Sequence, residues 1–136
     1  MVPPAKVKIL LAEDNKINQR LFVLTLGQFG LECDLANNGV EAFEMQRDKN
    51  YDLIFMDMHM PVCDGIESTQ MIRRHEAENK VKIPVYIVAL SASLIAERKD
   101  ECIDAGMDEY MEKPMQGKLL LSVIEKVKYR TVQSIT

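Results

Sequence analysis

The chain has 136 residues, 47% of them apolar and 28% charged, with a formal net charge of −4. That length suits one domain around one core, and the acidic balance argues against a large nucleic-acid footprint. No apolar run approaches bilayer-spanning length and no basic-then-apolar leader opens the chain, so neither membrane contact nor secretion is expected. Residues 1–6 read as an unstructured leader, residues 7–129 as the domain, and residues 130–136 as a tail that frays. A first strand is expected over 7–12, ending at Glu13-Asp14-Asn15. A helix follows, with Ile17, Leu21, Leu24 and Gln28 along one stripe and Phe29 near its end. Asn15 suits its cap and Gly30 a left-handed stop.

The second strand is expected over 31–36. Asn37-Asn38-Gly39 then turns the chain into a helix through Val40 and Phe43 to about 48. The third strand, 52–57, is from Leu53 onward a continuous apolar run that stops on Asp57 and is broken by Pro61 and Asp64-Gly65. Such a run suits a strand buried on both faces. A third helix is expected over 66–79, and a strand over 85–90 ending at Ser91-Ala92-Ser93. A helix over roughly 94–105 stops at Gly106, a short strand runs over 108–111, and Glu112-Lys113-Pro114 follows. The last helix carries Leu119, Leu120, Val123, Ile124 and Val127 toward the sheet. Strands alternating with helices predict an α/β fold, a doubly wound parallel sheet with right-handed crossovers. The expected strand order is 2-1-3-4-5, with the switch point between strands 1 and 3.

In a parallel sheet the strand ends share one edge, and in open α/β sheets ligands bind there. That edge collects Glu13 and Asp14 from strand 1, Asp57 from strand 3, Ser91 from strand 4 and Lys113 from strand 5. Two like charges about 4 Å apart repel by about 4 kcal/mol at an effective dielectric of about 20, so three carboxylates in one cleft call for a cation. Oxygen ligands with room for water and phosphate oxygens point to Mg²⁺. One carboxylate can then attack a phosphoryl group, with Lys113, Ser91 and the cation sharing the charge on its oxygens. Each residue alone has a simpler reading: strand end and cap for Glu13-Asp14, turn initiator for Asp57, surface lysine for Lys113, cap for Ser91. Their joint placement on four strand ends favours the site.

Leu10-Leu11-Ala12-Glu13-Asp14-Asn15, Met56-Asp57-Met58-His59-Met60-Pro61 with Asp64-Gly65, Val88-Ala89-Leu90-Ser91-Ala92 and Tyr110-Met111-Glu112-Lys113-Pro114 together resemble the receiver domains of two-component response regulators. Glu-Asp-Asn-Lys-Ile-Asn-Gln after strand 1 and Ala-Gly-Met-Asp-Glu-Tyr before Lys113 look most like receivers of hybrid sensor histidine kinases. The resemblance implies a flavodoxin-like (βα)5 sandwich. It implies a phosphorelay module whose Asp57 accepts a phosphoryl group from a phosphohistidine on a histidine kinase or phosphotransfer protein. Such a module catalyses its own phosphorylation and dephosphorylation rather than turning over a metabolite. The resemblance further implies Mg²⁺ on Glu13, Asp14, Asp57 and the backbone carbonyl of His59. Ser91 stands at the switch hydroxyl, Tyr110 at the switch aromatic, and Lys113-Pro114 is a candidate cis peptide. The surface of helix 4, strand 5 and helix 5 is expected to respond.

Other readings fit less well. A haloacid-dehalogenase-like phosphatase expects a second Asp where His59 stands, and a cap-sized insertion. A flavodoxin-like cofactor binder would meet repulsion of a flavin phosphate by Glu13-Asp14. A degenerate receiver expects losses among Glu13, Asp14, Asp57 and Lys113, and none is lost. The methionines around Asp57 suggest a Cu(I) site, but side chains alternate along a strand, so Met56 and Met58 share a face that Asp57 does not. His59 and His75 read as loop and helix-surface residues, Cys63 as an exposed loop thiol, and residues 97–101 as a solvated charged face. Cys33, Cys63 and Cys102, odd in number and without a CxxC pair, favour reduced thiols in the cytoplasm.

Overall fold

The computed structural model describes residues 6–92, 98–113 and 116–135, with side chains described as far as Arg130. Five strands alternate with five helices: β1 (Ile9–Ala12), α1 (Lys16–Gly27), β2 (Asp34–Ala36), α2 (Gly39–Lys49), β3 (Leu53–Asp57), α3 (Gly65–Glu78), β4 (Tyr86–Ser91), α4 (Lys99–Ala105), β5 (Glu109–Glu112) and α5 (Gly117–Ile135). The sheet order is β2-β1-β3-β4-β5 and every pairing is parallel, as expected. β2 is shorter than its expected span, and α5 runs helically past Arg130 to Ile135. Residues 94–97, where the fourth helix was expected to begin, lie outside the described residues.

Side-chain alternation splits the central strands between two cores. Leu10, Ile54, Met56, Ile87 and Ala89 pack with Ala42, Ile72 and Cys102 on the α2–α3–α4 side. Ile9, Leu11, Phe55, Val88 and Leu90 pack with Phe22 and Leu26 of α1 and Leu120, Val123, Ile124 and Val127 of α5. The Phe22 and Phe55 rings meet edge to face, centroids 5.1 Å apart.

Two helix faces differ from expectation. The stripe Ile17, Leu21, Leu24 points outward, at 70%, 56% and 60% exposure. α1 instead buries Gln19, Phe22 and Leu26. The helical period was readable, but the sequence holds two apolar stripes. Gln19, a polar residue, marks the inward one because its amide has buried partners. Leu119 likewise faces solvent, 55% exposed, while Leu120, Val123, Ile124 and Val127 are buried. His75, expected on the surface, is half-buried, its ring edge-on to Phe43 with centroids 5.9 Å apart.

The starts of α1, α2 and α3 cluster at the sheet's carboxyl edge and carry their own caps. Asn15 Oδ1 accepts from the Ile17 and Asn18 amides, Asn38 Oδ1 from Glu41, and Asp64 Oδ1 from Glu67. Each such cap contributes about 1 kcal/mol. The opposite edge is fastened by Arg73, which donates to the Gly106 carbonyl at 2.9 Å, to Glu76 at 2.8 Å and to Asp108 at 3.0 Å. Glu76 and Asp108 in turn accept from the Val85 and Ile87 amides. Gly106, at φ 107°, ends α4 as expected. A Cβ there would lie 2.7 Å from Arg73 Cγ, so the fastening also depends on glycine.

The two faces of α1 predict different stabilities in urea unfolding. Leu26→Ala, at a fully buried site, should cost about 2–5 kcal/mol, whereas Leu24→Ala should stay within about 0.5 kcal/mol of the parent. Equal losses would mean that both leucines are core residues.

Candidate functional site

Asp57 is the last residue of β3, which is buried throughout, and is itself 4% exposed. β1, its neighbour in the sheet, ends one residue before Glu13, which is 2% exposed; Asp14 lies at the surface. Carboxylate oxygens of Glu13, Asp14 and Asp57 all fall within 4.8 Å of one another. The sheet therefore brings together the three acids that the strand ends suggested. A buried carboxylate is costly without partners, and these have them. Lys113, just past β5, places Nζ 2.6 Å from Glu13 Oε1 and 3.1 Å from Asp57 Oδ2. Burial opposes the charge on Lys113, but its bond to Glu13 and the nearby Asp57 carboxylate outweigh that, and its pKa lies above the ordinary lysine value. Lysine thus stays charged across the physiological range.

One ammonium cannot neutralise three carboxylates, so the cluster retains net negative charge. An all-oxygen set with one exposed member suits a hard divalent cation that keeps several waters. The residues present fit such an ion, and Lys113 does not close the site, because Asp14 remains at its open side.

The surrounding backbone is shaped for close approach. A Cβ on Gly65 would lie 2.4 Å from the Asp57 carbonyl oxygen, so glycine lets α3 begin directly beside the acid. The His59 amide donates to Asp57 Oδ1 at 3.0 Å while its side chain is exposed. Val62, 88% exposed, holds φ at 76°, a left-handed value that is strained for a β-branched residue. Cys63, expected to be exposed, is 4% exposed, tucked against Gly39 where α2 meets α3. Burial pushes its thiol pKa up, as do Glu67 and Asp64, so it is no thiolate nucleophile.

Ser91 ends β4 with 7% exposure, and its carbonyl accepts from the Lys113 amide at 2.7 Å. Tyr110 is half-buried and pairs with Ala89, while Ser91 pairs with Glu112. Ser91 and Tyr110 therefore share one face of the sheet, the face covered by α3 and α4. Lys99 of α4 lies 5.1 Å from the centre of the Tyr110 ring. Pro114 lies outside the described residues, and with it the Lys113–Pro114 peptide.

Residues 9–125 match the family model described as the response regulator receiver domain. The chain belongs to the response regulator receiver domains. Hybrid signal transduction histidine kinase F of Dictyostelium discoideum is 44% identical over 119 residues, 88% of this chain and 11% of that protein. Kinase K of the same organism is 40% identical over 126 residues, 90% of this chain and 10% of that protein. This receiver thus spans about a tenth of the curated relatives it matches. A Pseudomonas aeruginosa sensor histidine kinase receiver, solved with magnesium coordinated in its active-site cleft, has a TM-score of 0.78 and 32% identity, covering 91% of this chain and 98% of that one. A Saccharomyces cerevisiae receiver, solved with its histidine phosphotransfer protein, has a TM-score of 0.79 and 34% identity, covering 93% and 89%. The flavodoxin-like fold expected from the resemblance is therefore the fold observed.

Sequence reasoning left other residues at this receiver's site without a role. Asn18 Nδ2 donates to Glu13 Oε1 at 3.2 Å, the Asn15 amide to Glu13 Oε2 at 3.2 Å, and Gln19 Nε2 to the Glu13 carbonyl at 2.5 Å. Gln19 also donates to Asn37 Oδ1, joining the first two strand-end loops. Gln19 lies on the inward face of α1 with Phe22 and Leu26, and its burial is visible only in the fold.

Proposed function

We propose that Asp57 accepts a phosphoryl group from a phosphohistidine, with Mg²⁺ held by Glu13, Asp14, Asp57 and the His59 carbonyl. The observation that carries this reading is the meeting of three carboxylates and one lysine ammonium where β3 ends. An Asp57 oxygen forms the new P–O bond as the P–N bond of the donor breaks. The bonding pair stays on the imidazole nitrogen. Lys113 Nζ stands beside Asp57 Oδ2, placed to share the charge on the arriving oxygens. The bound ion, when present, supplies further neutralisation of those oxygens. The yeast receiver solved with its phosphotransfer protein supports a partner of that class. The relatives support a parent hybrid histidine kinase of which this receiver is one part. No helix among the described residues is long and apolar enough to cross a membrane. Three free cysteines, Cys33, Cys63 and Cys102, suit a reducing cytoplasm.

The same reading extends to output. A phosphoryl group adds about −1.5 to −2 charges at neutral pH. Ser91 moves toward it, vacating space on the face it shares with Tyr110, and the half-buried ring turns inward. Completing its burial contributes about 1–2 kcal/mol, comparable to a typical coupling energy of about 1–3 kcal/mol. α4 is the responsive part, since among the described residues it buries Cys102 and Ala105 alone and no side chain caps its first turn.

Titration calorimetry checks the ion: Asp14→Asn removes ligand charge and should weaken Mg²⁺ binding about tenfold or more. Unchanged affinity would remove Asp14 from the metal site.

Mass spectrometry checks the acceptor. With Mg²⁺ and a small phosphodonor the parent should gain one hydroxylamine-labile phosphoryl mass, and Asp57→Asn should gain none. Lys113→Ala should keep the acceptor but react more slowly. A stable full-stoichiometry adduct on Asp57→Asn would overturn the assignment.

Nuclear magnetic resonance checks the switch. Ser91→Ala should still be phosphorylated, yet lose the shifts of α4 and Tyr110 resonances seen in the parent. Parent-like shifts in that variant would sink the Ser91–Tyr110 link.

A further inference from the structure

Glu13 is nearly sealed from solvent, and its two carboxylate oxygens are not held alike. Oε2 takes the Asn15 amide; Oε1 takes Lys113 Nζ at 2.6 Å and Asn18 Nδ2 at 3.2 Å. Lys113 is nearer to Glu13 than to Asp57, where it stands at 3.1 Å. A phosphoryl group on Asp57 would concentrate new negative charge on the other side of that ammonium. Glu13 Oε1 would then lose its closest partner to the phosphoryl oxygens. The Asn18 amide is the second donor already in place on the same oxygen. It is also fixed from behind: the Asn18 backbone amide donates to Asn15 Oδ1, and the neighbouring Gln19 side chain grips the Glu13 carbonyl. The first turn of α1 thus holds one acid by its backbone and by both carboxylate oxygens.

We propose that Asn18 is a positioning residue that keeps the Glu13 carboxylate aimed at the cation site while Lys113 is drawn to the phosphoryl group. The inference rests on the phosphoacceptor reading. Asn18 touches neither the phosphoryl group nor the ion; it acts through Glu13. Its contribution is small in the resting state, where Lys113 already restrains the same oxygen, and large once a phosphoryl group is present.

The test measures two affinities for each protein by calorimetry: Mg²⁺ alone, and beryllofluoride in saturating Mg²⁺ as the phosphoryl stand-in. Asn18→Ala, a good helix former at a half-buried helical position, should bind Mg²⁺ within about twofold of the parent. It should bind beryllofluoride about tenfold more weakly, the loss expected for one hydrogen bond to a charged group. Asn18→Gln keeps the amide donor on a longer stem and should recover most of that loss. Equal weakening of both ligands in Asn18→Ala would indicate a merely structural role and overturn the proposal. So would no weakening of beryllofluoride binding, or an Asn18→Gln variant as weak as Asn18→Ala. Failure of the parent itself to bind beryllofluoride would instead overturn the phosphoacceptor reading on which the proposal stands.

Discussion

Mutual repulsion among Glu13, Asp14 and Asp57 is the constraint that the rest of the structure answers. Two of these acids are buried at the ends of adjacent central strands, where removing one partner of a buried ion pair typically costs about 3–5 kcal/mol. The fold meets this with one lysine just past an edge strand and with backbone and side-chain amides from the start of α1 and the β3–α3 loop. Asp14 is left in water. The cluster is stable enough to exist and still short of positive charge, which is the condition that suits it to a cation.

The two edges of the sheet divide the labour. At the amino-terminal edge one guanidinium, Arg73, holds two carboxylates, and each of these also accepts a backbone amide, Glu76 from Val85 and Asp108 from Ile87. At the carboxyl edge one ammonium meets three carboxylates, so the imbalance is greater. Both edges use glycine in the same way, Gly106 against Arg73 and Gly65 against Asp57, to let elements approach more closely than a side chain would allow.

Most of this was legible in the sequence, for identifiable reasons. β3 reads as a continuous apolar run ending in one acid, so Asp57 declared itself. Alternation of strands and helices dictated a parallel sheet, and that topology alone brought Glu13, Asp14, Ser91 and Lys113 to one edge. Helix orientation was less legible where apolar residues occupy more than one stripe. In α1 the outward Ile17, Leu21 and Leu24 are as apolar as the inward Phe22 and Leu26, and only tertiary contact decides between them. Leu119 is an apolar neighbour of the buried Leu120 and escapes for the same reason. Polar side chains that serve another side chain, such as Asn18, gave no signal by type. Their meaning lies in a distance that sequence spacing does not carry.

The ion pair between Glu13 and Lys113 joins residues 100 positions apart. During synthesis the three acids emerge long before the lysine that restrains two of them. A nascent chain that has not yet delivered its fifth strand carries the acceptor acid without its ammonium. The full restraint on these acids therefore arrives only when nearly the whole receiver has been made and the edge strand has docked. A truncated or half-folded copy would hold Asp57 without the ammonium beside it, so the charge arrangement around that acid is completed only late in synthesis.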